Sequence, residues 1–413
     1  MSRLFYFLST VLIFGMAVLL GYQSSRALRP SQVRPLARSQ QVAEVPDNIL
    51  GDPISGITAA EFERFRLGLE DFLEVEDSEE GLGPVFNGRS CAECHAIPRI
   101  GGSGNILEPR AGILHPDGSF EEMEGGSLFP LFSIPTHSVQ AIIPAQANVI
   151  AFRKSLPLFG NGLVEAIPDQ DLIALEDPQD RDGDGISGRA ARVVDRASGQ
   201  LLVGRFGWKA QQARLITFGA EAYRDEMGIT NDLFGRELCP HGVDCDLLAF
   251  IDPVPDPEDA PDRLTGLRGI DNFESFLQLL GPPARGRITP LAERGEGIFR
   301  SIRCTACHVE SFLSGPAGSP ALSSKRFHPY GDFLLHDIGT GDGIGQADAL
   351  PEEIRTPPLW GLRLRAPYLH DGRASNLPQA IDLHRGEAEA VRDAYLALSP
   401  EEKEALLAFL RSL

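Results

Sequence analysis

The sequence predicts a mainly α-helical protein of two domains with long loops, the N-terminal one enlarged by an insertion. Three observations lead there. The pattern C-x-x-C-H occurs twice, at Cys91–His95 and Cys304–His308, far apart in a chain of 413 residues. A helix-start signal stands ahead of each copy, and another introduces the C-terminal segment. Finally, 43 glycines and 31 prolines exceed what continuous regular structure tolerates, so the helices must be separated by extended turn and loop backbone.

The chain opens on an apolar run from Leu4 to Tyr22, preceded by Arg3 and broken only by Ser9, Thr10 and small residues. Residues 1–27 therefore read as a signal peptide or a single membrane anchor. Ser25 and Ala27 offer a small-x-small cleavage site, while a run of about 19 residues is also long enough to span a bilayer. Arg26, Arg29, Arg34 and Arg38 follow the run and oppose export by the positive-inside rule. The cysteine chemistry described next requires an extracytoplasmic, periplasm-like compartment, and it outweighs that signal. Residues 28–57, with Pro30, Pro35, Pro46 and Pro53 and little apolar periodicity, read as a tether.

The first domain, residues 58–284, starts at the capping box Thr58-Ala59-Ala60-Glu61, after which Phe62, Phe65, Leu69 and Phe72 recur at helical spacing. The helix leads to Cys91-Ala92-Glu93-Cys94-His95. The second domain, 285–413, repeats the plan: Thr289-Pro290 starts a helix through Leu291, Ile298 and Phe299 that delivers Cys304-Thr305-Ala306-Cys307-His308. Ser399-Pro400-Glu401-Glu402 then caps a last helix with Leu406, Leu407, Phe409 and Leu410 on one face.

C-x-x-C-H is the attachment pattern of c-type haem. Two thiols add to the vinyl groups on one porphyrin edge while the following histidine reaches the iron. The motif pair thus predicts two covalent c-type haems held by Cys91, Cys94, Cys304 and Cys307, with His95 and His308 as iron ligands. The two domains are expected to be cytochrome c-like. A thioredoxin-like dithiol would lack the repeated histidine, and a zinc site would keep its ligand pairs within a few tens of residues. The 38 basic residues against 58 acidic ones give a net charge of −20, which excludes nucleic acid as a partner.

Two weaker features lie in the insertion. Asp180-x-Asp182-x-Asp184-Gly185 repeats the start of a calcium loop, but Ala191 stands where an EF-hand places its bidentate glutamate, leaving calcium or a solvated acidic turn as readings. Cys239 and Cys245 flank a five-residue segment and, in an exported protein, read as a short structural disulfide.

The run Arg355-Thr356-Pro357-Pro358-Leu359-Trp360-Gly361-Leu362, followed by Ala366-Pro367-Tyr368-Leu369-His370-Asp371-Gly372-Arg373-Ala374, resembles the C-terminal domain of bacterial dihaem cytochrome c peroxidases. The chain is also similar to the dihaem enzyme that matures methylamine dehydrogenase, and most of all to the dihaem oxidoreductase family. Asp182-Gly183-Asp184-Gly185-Ile186-Ser187-Gly188-Arg189, Gly204-Arg205-Phe206-Gly207-Trp208-Lys209-Ala210 and Asp225-Glu226-Met227-Gly228-Ile229-Thr230 match that family in order and spacing. The resemblance covers most of the chain from Phe62 onward.

That resemblance implies roles. His384 falls where the peroxidases carry the sixth ligand of the C-terminal haem, generally a methionine, which implies bis-His ligation by His308 and His384. Trp208 matches the aromatic residue between the haems, and Glu226 the distal acid of the peroxide pocket. Phe218 replaces a glutamine frequent in relatives. The first haem has no assigned sixth ligand. His115, Met123 and His137 are candidates, but an open position is the reading the resemblance favours. His328, His336 and His370 are expected around the second haem as hydrogen-bonding groups. The implied function is an exported dihaem oxidoreductase, peroxidase-like, acting on a small oxidant such as hydrogen peroxide and exchanging electrons with a redox protein. The competing reading is a non-catalytic dihaem electron-transfer cytochrome.

Overall fold

The computed structural model describes residues 43–45, 47–135, 142–239, 243, 244, 246, 247, 260, 261 and 265–413. The N-terminal apolar run, most of the tether, His137 and Cys245 lie outside the described residues. The helices that organise the rest are α1 (Ala59–Leu73), α2 (Cys91–Cys94), α3 (Leu215–Ala222), α4 (Gly269–Leu279), α5 (Pro290–Ser301), α6 (Leu377–Asp382), α7 (Glu389–Ala397) and α8 (Pro400–Leu410). Among the described residues no helix is long and apolar enough to cross a membrane.

The expected helix starts form as the sequence specifies. Thr58 and Ser399 each close a full capping box, and Thr289 accepts from the backbone of Ala292 with Pro290 in the first turn. Phe65 and Phe72 are buried, whereas Phe62 is half exposed, so the apolar face of α1 is narrower than its periodicity suggested.

One packing device occurs twice. In the first half α1 packs on α4, and a Cβ on Gly68 would stand 2.1 Å from the carbonyl oxygen of Asn272. In the second half α5 packs on α8, and a Cβ on Gly295 would stand 1.9 Å from the carbonyl of Ala405. Each pair therefore crosses at a glycine, where only hydrogen leaves room for backbone approach. Each also sets an aromatic ring beside the histidine of its motif: Phe72 lies 6.3 Å from His95, and Phe299 lies 6.1 Å from His308, between ring centroids. Phe72 rests on Phe276 at 4.7 Å and Phe299 on Phe409 at 5.1 Å, anchoring both arrangements in apolar cores.

Among the described residues five small sheets accompany the helices, none wider than three strands. The largest is antiparallel, with β1 (Leu107–Leu114) between β2 (Phe120–Glu122) and β3 (Val149–Lys154), and Glu108 opposite Arg153. Its alternation is inverted. Arg110 and Arg153 are buried, while Leu107, Ile150 and Phe152 face outward. The inward cations meet acids: Glu108 accepts from Arg110 at 2.8 Å, and Arg153 donates to Asp342 at 2.7 Å. Lys209, fully buried, joins Asp342 at 3.2 Å and donates to the carbonyls of Leu350, Pro351 and Glu353. Residues Val42–Leu413 form one compact unit, and this charged layer is part of its interior.

Candidate functional site

Cys304, Cys307 and His308 open onto a cleft with about 1510 Å³ of empty space, its mouth included. Its walls are mostly apolar, with Phe299, Leu359, Leu377, Ile381, Leu406 and Leu410 contributing. His384, at the end of α6, lines the same cleft. His308 Nδ1 donates to the carbonyl of Tyr330 at 3.1 Å, and His384 Nδ1 donates to the carbonyl of Ala380 at 2.8 Å. A carbonyl only accepts, so each bond fixes the proton on Nδ1 and leaves the Nε2 lone pair for another partner. Burial lowers both pKa values, and the neighbouring His384 charge helps take His308 to about 4. Both imidazoles are therefore neutral near pH 7, the form a metal ion takes. Two thiols, two neutral histidines with the tautomer fixed, and an apolar cleft fit a covalently attached haem.

The first motif is built similarly. Ser90 caps α2, and His95 Nδ1 donates to the carbonyl of Gly102 at 3.1 Å. Burial lowers the His95 pKa, so this imidazole too is neutral and keeps Nε2 free of the Gly102 bond. Above α2, Glu226 sits in a π-helical turn, Tyr223–Met227, that continues α3. The segment entering α2 binds this turn, since the backbone N–H groups of Asn87 and Gly88 both donate to the Glu226 carbonyl, at 2.7 and 3.2 Å. The Asn87 amide donates to Glu226 Oε2 at 2.8 Å and accepts from the Leu131 N–H at 2.8 Å, which fixes the carboxyl in place.

Glu226 is paired with Glu108. Burial pushes the Glu226 carboxyl well above the usual range, and the adjacent Glu108 charge raises it further. Glu108 is also buried, but Arg110 outweighs that penalty and holds it below its usual value. The two carboxyls are thus pushed apart, and Glu226 is the one that holds its proton to higher pH. Both carboxyls act electrostatically on Cys94, which places them beside the first motif.

The two motifs meet through one short segment. Lys154, Ser155 and Leu156 line the His308 cleft. Ser155 Oγ also donates to the Cys94 carbonyl at 2.5 Å, and the Trp208 indole N–H donates to the Lys154 carbonyl at 2.7 Å. Trp208 lines the cleft as well, 6.1 Å edge-on from the His370 ring.

The family model described as di-haem oxidoreductase, putative peroxidase, matches residues 133–413, which include Trp208, Glu226, His308 and His384. The chain belongs to this family. Among curated relatives, the methylamine utilization protein MauG of Methylorubrum extorquens is 28% identical over 137 residues, 30% of this chain and 34% of that protein. MauG of Methylophilus methylotrophus is 29% identical over 135 residues, 30% of this chain and 37% of that protein. The chain thus matches about a third of the length of these relatives. Among solved structures, the diheme peroxidase BthA of Burkholderia thailandensis E264 aligns at 17% identity and a TM-score of 0.40, covering 90% of this chain and 92% of that one. A MauG-like protein associated with microbial copper homeostasis aligns at 16% identity and a TM-score of 0.36, covering 91% and 94%.

The other candidate residues fall in different places. His370 and His336 line the second cleft, but His328 is exposed and pairs with Glu44 at 3.2 Å. His336 donates to Asp332 at 2.9 Å and to Glu387 at 2.8 Å, 3.8 Å from Cys307 Sγ. Burial opposes its charge, yet Asp332 outweighs burial and raises its pKa well above normal, so it is an imidazolium held between carboxylates. His115 pairs with Glu121 at 3.0 Å, and Met123 packs with Ala111 and Phe129. Phe218 stacks on Phe206 at 5.9 Å.

Carboxylate oxygens of Asp180, Asp182 and Asp184 can lie within 4.8 Å of one another. Each also accepts a backbone N–H from its own loop, and Asp184 pairs with Arg303, the residue before Cys304. Cys239 is disulfide-bonded. Asn87, Glu108 and the Lys154–Leu156 segment are contributors that the motifs did not reveal. The one signal for Glu108 is its spacing from Arg110, which puts opposite charges on one face of a strand.

Proposed function

We propose that the protein is an exported di-haem c-type oxidoreductase of peroxidase type. On this reading Cys91, Cys94 and His95 would hold one haem, and Cys304, Cys307, His308 and His384 would hold a second. The observation that carries the proposal is the apolar cleft that takes in Cys304, Cys307, His308 and His384 together, with both histidines presenting Nε2. When bound, the haems supply the electron chemistry, with hydrogen peroxide as oxidant and a redox protein as electron partner. The chain's own residues supply the rest. Glu226 holds a proton beside the first motif, Asn87 orients it, and Glu108 keeps the proton on it. Trp208 and the Lys154–Leu156 segment fill the space from one motif to the other. The N-terminal residues 1–27 serve export, as signal or anchor.

The intact mass of the denatured protein from a haem-c-competent host tests the foundation. It is expected to exceed the polypeptide mass by two haems, and an unmodified mass would remove the reading altogether. His384→Ala is expected to turn one low-spin ferric EPR signal into a high-spin or water-ligated one while the other haem's signals stay as they were. An unaltered low-spin spectrum would take His384 off the ligand set.

A further inference from the structure

Each of the two histidines that face the second cleft depends on its own stretch of backbone. His308 donates to the Tyr330 carbonyl, and its motif is laced to the same stretch: Gly331 N–H donates to the Val309 carbonyl at 3.0 Å and Asp332 N–H to the Cys307 carbonyl at 2.9 Å. Tyr330 and Phe333 hold left-handed φ values of +54° and +61°, unfavourable for residues with a Cβ, so the stretch keeps its shape through these bonds. His384 opens the other stretch. It runs on into the 3₁₀ turn Gly386–Ala388, which carries Glu387, with Arg385 N–H donating to the Ile338 carbonyl at 2.8 Å and Glu387 N–H to the Asp337 carbonyl at 2.9 Å.

The His336 ring spans the two stretches. It is 2% exposed, and it donates from Nε2 to Asp332 Oδ2 at 2.9 Å and from Nδ1 to Glu387 Oε2 at 2.8 Å. Both partners act as acceptors toward backbone N–H groups as well, Asp332 from Leu334 and Glu387 from Ser187 and Asp337, so both ring nitrogens carry hydrogen. Gly188 closes the ring's remaining side, where a Cβ would stand 2.2 Å from His336 Cε1. A buried ionic triad gains little over apolar packing, and its best-attested use is to fix one arrangement against others.

We propose that His336 is a positioning residue, a strut anchored on Asp332 at the His308 side and on Glu387 at the His384 side, which holds the two ligand histidines of the second haem in register and keeps that iron closed to outside ligands. The inference rests on the reading of the cleft as a haem site and adds what keeps His384 in place. Its consequence is a division of labour. With the second iron shut, an oxidant as small as hydrogen peroxide is left with the first motif.

The test uses the full ferric holoprotein, with cyanide as the probe and EPR as the readout. In the wild type the bis-His low-spin signal should persist when cyanide is added. His336→Ala should replace it by a high-spin or cyanide-bound signal about tenfold faster or more, because His384 can then swing out without breaking a charge-assisted hydrogen bond. Glu387→Ala cuts the strut at its other end and should do the same, and the double variant should be no faster than either single one, since one linkage is lost in all three. His336→Gln, which keeps an amide donor for one carboxylate, should fall between. Glu389→Ala removes a carboxylate from the same segment, where it stands 4.0 Å from Arg385, and should behave as wild type. A folded His336→Ala or Glu387→Ala protein with the wild-type signal and cyanide rate, additive rates in the double variant, or an equal change in Glu389→Ala would overturn the strut while leaving the haem reading intact. Should His336→Ala not accumulate, Glu387→Ala and His336→Gln decide by the same readouts. A wild type whose intact mass shows no haem would overturn both.

Discussion

Asp342→Ala is expected to cost the protein about 3–5 kcal/mol of stability, read as a lower denaturant midpoint of the holoprotein. Asp342 is 1% exposed in its side chain and is the shared carboxylate of Arg153 and Lys209, themselves 1% and 0% exposed. Removing it leaves two buried cations with neutral partners only: Gln346 for Arg153, and three backbone carbonyls for Lys209. Such a loss is a large fraction of the 5–15 kcal/mol typical of folded domains. Restoring balance should show the cause: Lys209→Met added to Asp342→Ala should recover part of the loss. A single variant within about 1 kcal/mol of wild type would mean that the layer is not held together by charge pairing.

The same carboxylate makes an acid-sensitive contribution. Burial raises its pKa, but Arg153 and Lys209 outweigh burial and hold it at about 2. The unfolded value is about 3.9. A depressed folded value stabilises the fold fully above the unfolded pKa and less as pH falls toward the folded one, so the contribution fades from about pH 4 to pH 2.

This layer also shows where sequence reading stops. Helix starts were legible because a cap is local: Thr58 with Glu61, Thr289 with Pro290, and Ser399 with Glu402 each carry their partner within three residues. The motif cysteines and histidines were legible because the attachment chemistry dictates contiguous spacing. The sheet was not, because alternation of charged and apolar residues assigns charge to solvent, whereas Arg110 and Arg153 point inward and Phe152 outward. Glu108, two residues from Arg110, and Asp342, far off in the sequence, make that inversion tolerable, and a pairing such as Arg153 with Asp342 has no local signature. His328 fails for a related reason. It lies near the second motif in sequence, but the short strand beside it pairs in parallel with Ala43–Glu44, and the histidine turns to Glu44 instead of the cleft.

Glu226→Gln is expected to slow oxidation of the protein by hydrogen peroxide by roughly 10²-fold or more, the usual worth of a positioned proton-transfer group. The substitution keeps the side chain's shape, and an amide oxygen can still accept from Asn87, whose bond holds the present carboxyl at 2.8 Å. What it removes is the proton. Burial and the Glu108 charge raise the Glu226 pKa well above the usual carboxyl range, so on the proposed reading the group serves as acid below that raised pKa and ceases to serve as pH climbs through it. The wild-type rate with peroxide should therefore fall on the alkaline side, and this limb should vanish in Glu226→Gln. Trp208→Phe separates proton delivery from electron sharing: it removes the bond to the Lys154 carbonyl and should impair equilibration between the haems while peroxide binding persists. A wild-type protein with no high-spin haem and no reaction with peroxide, even when half reduced, would make this chain an electron carrier. The Glu226 proton would then be a consequence of burying two carboxyls against one arginine, with no part in chemistry.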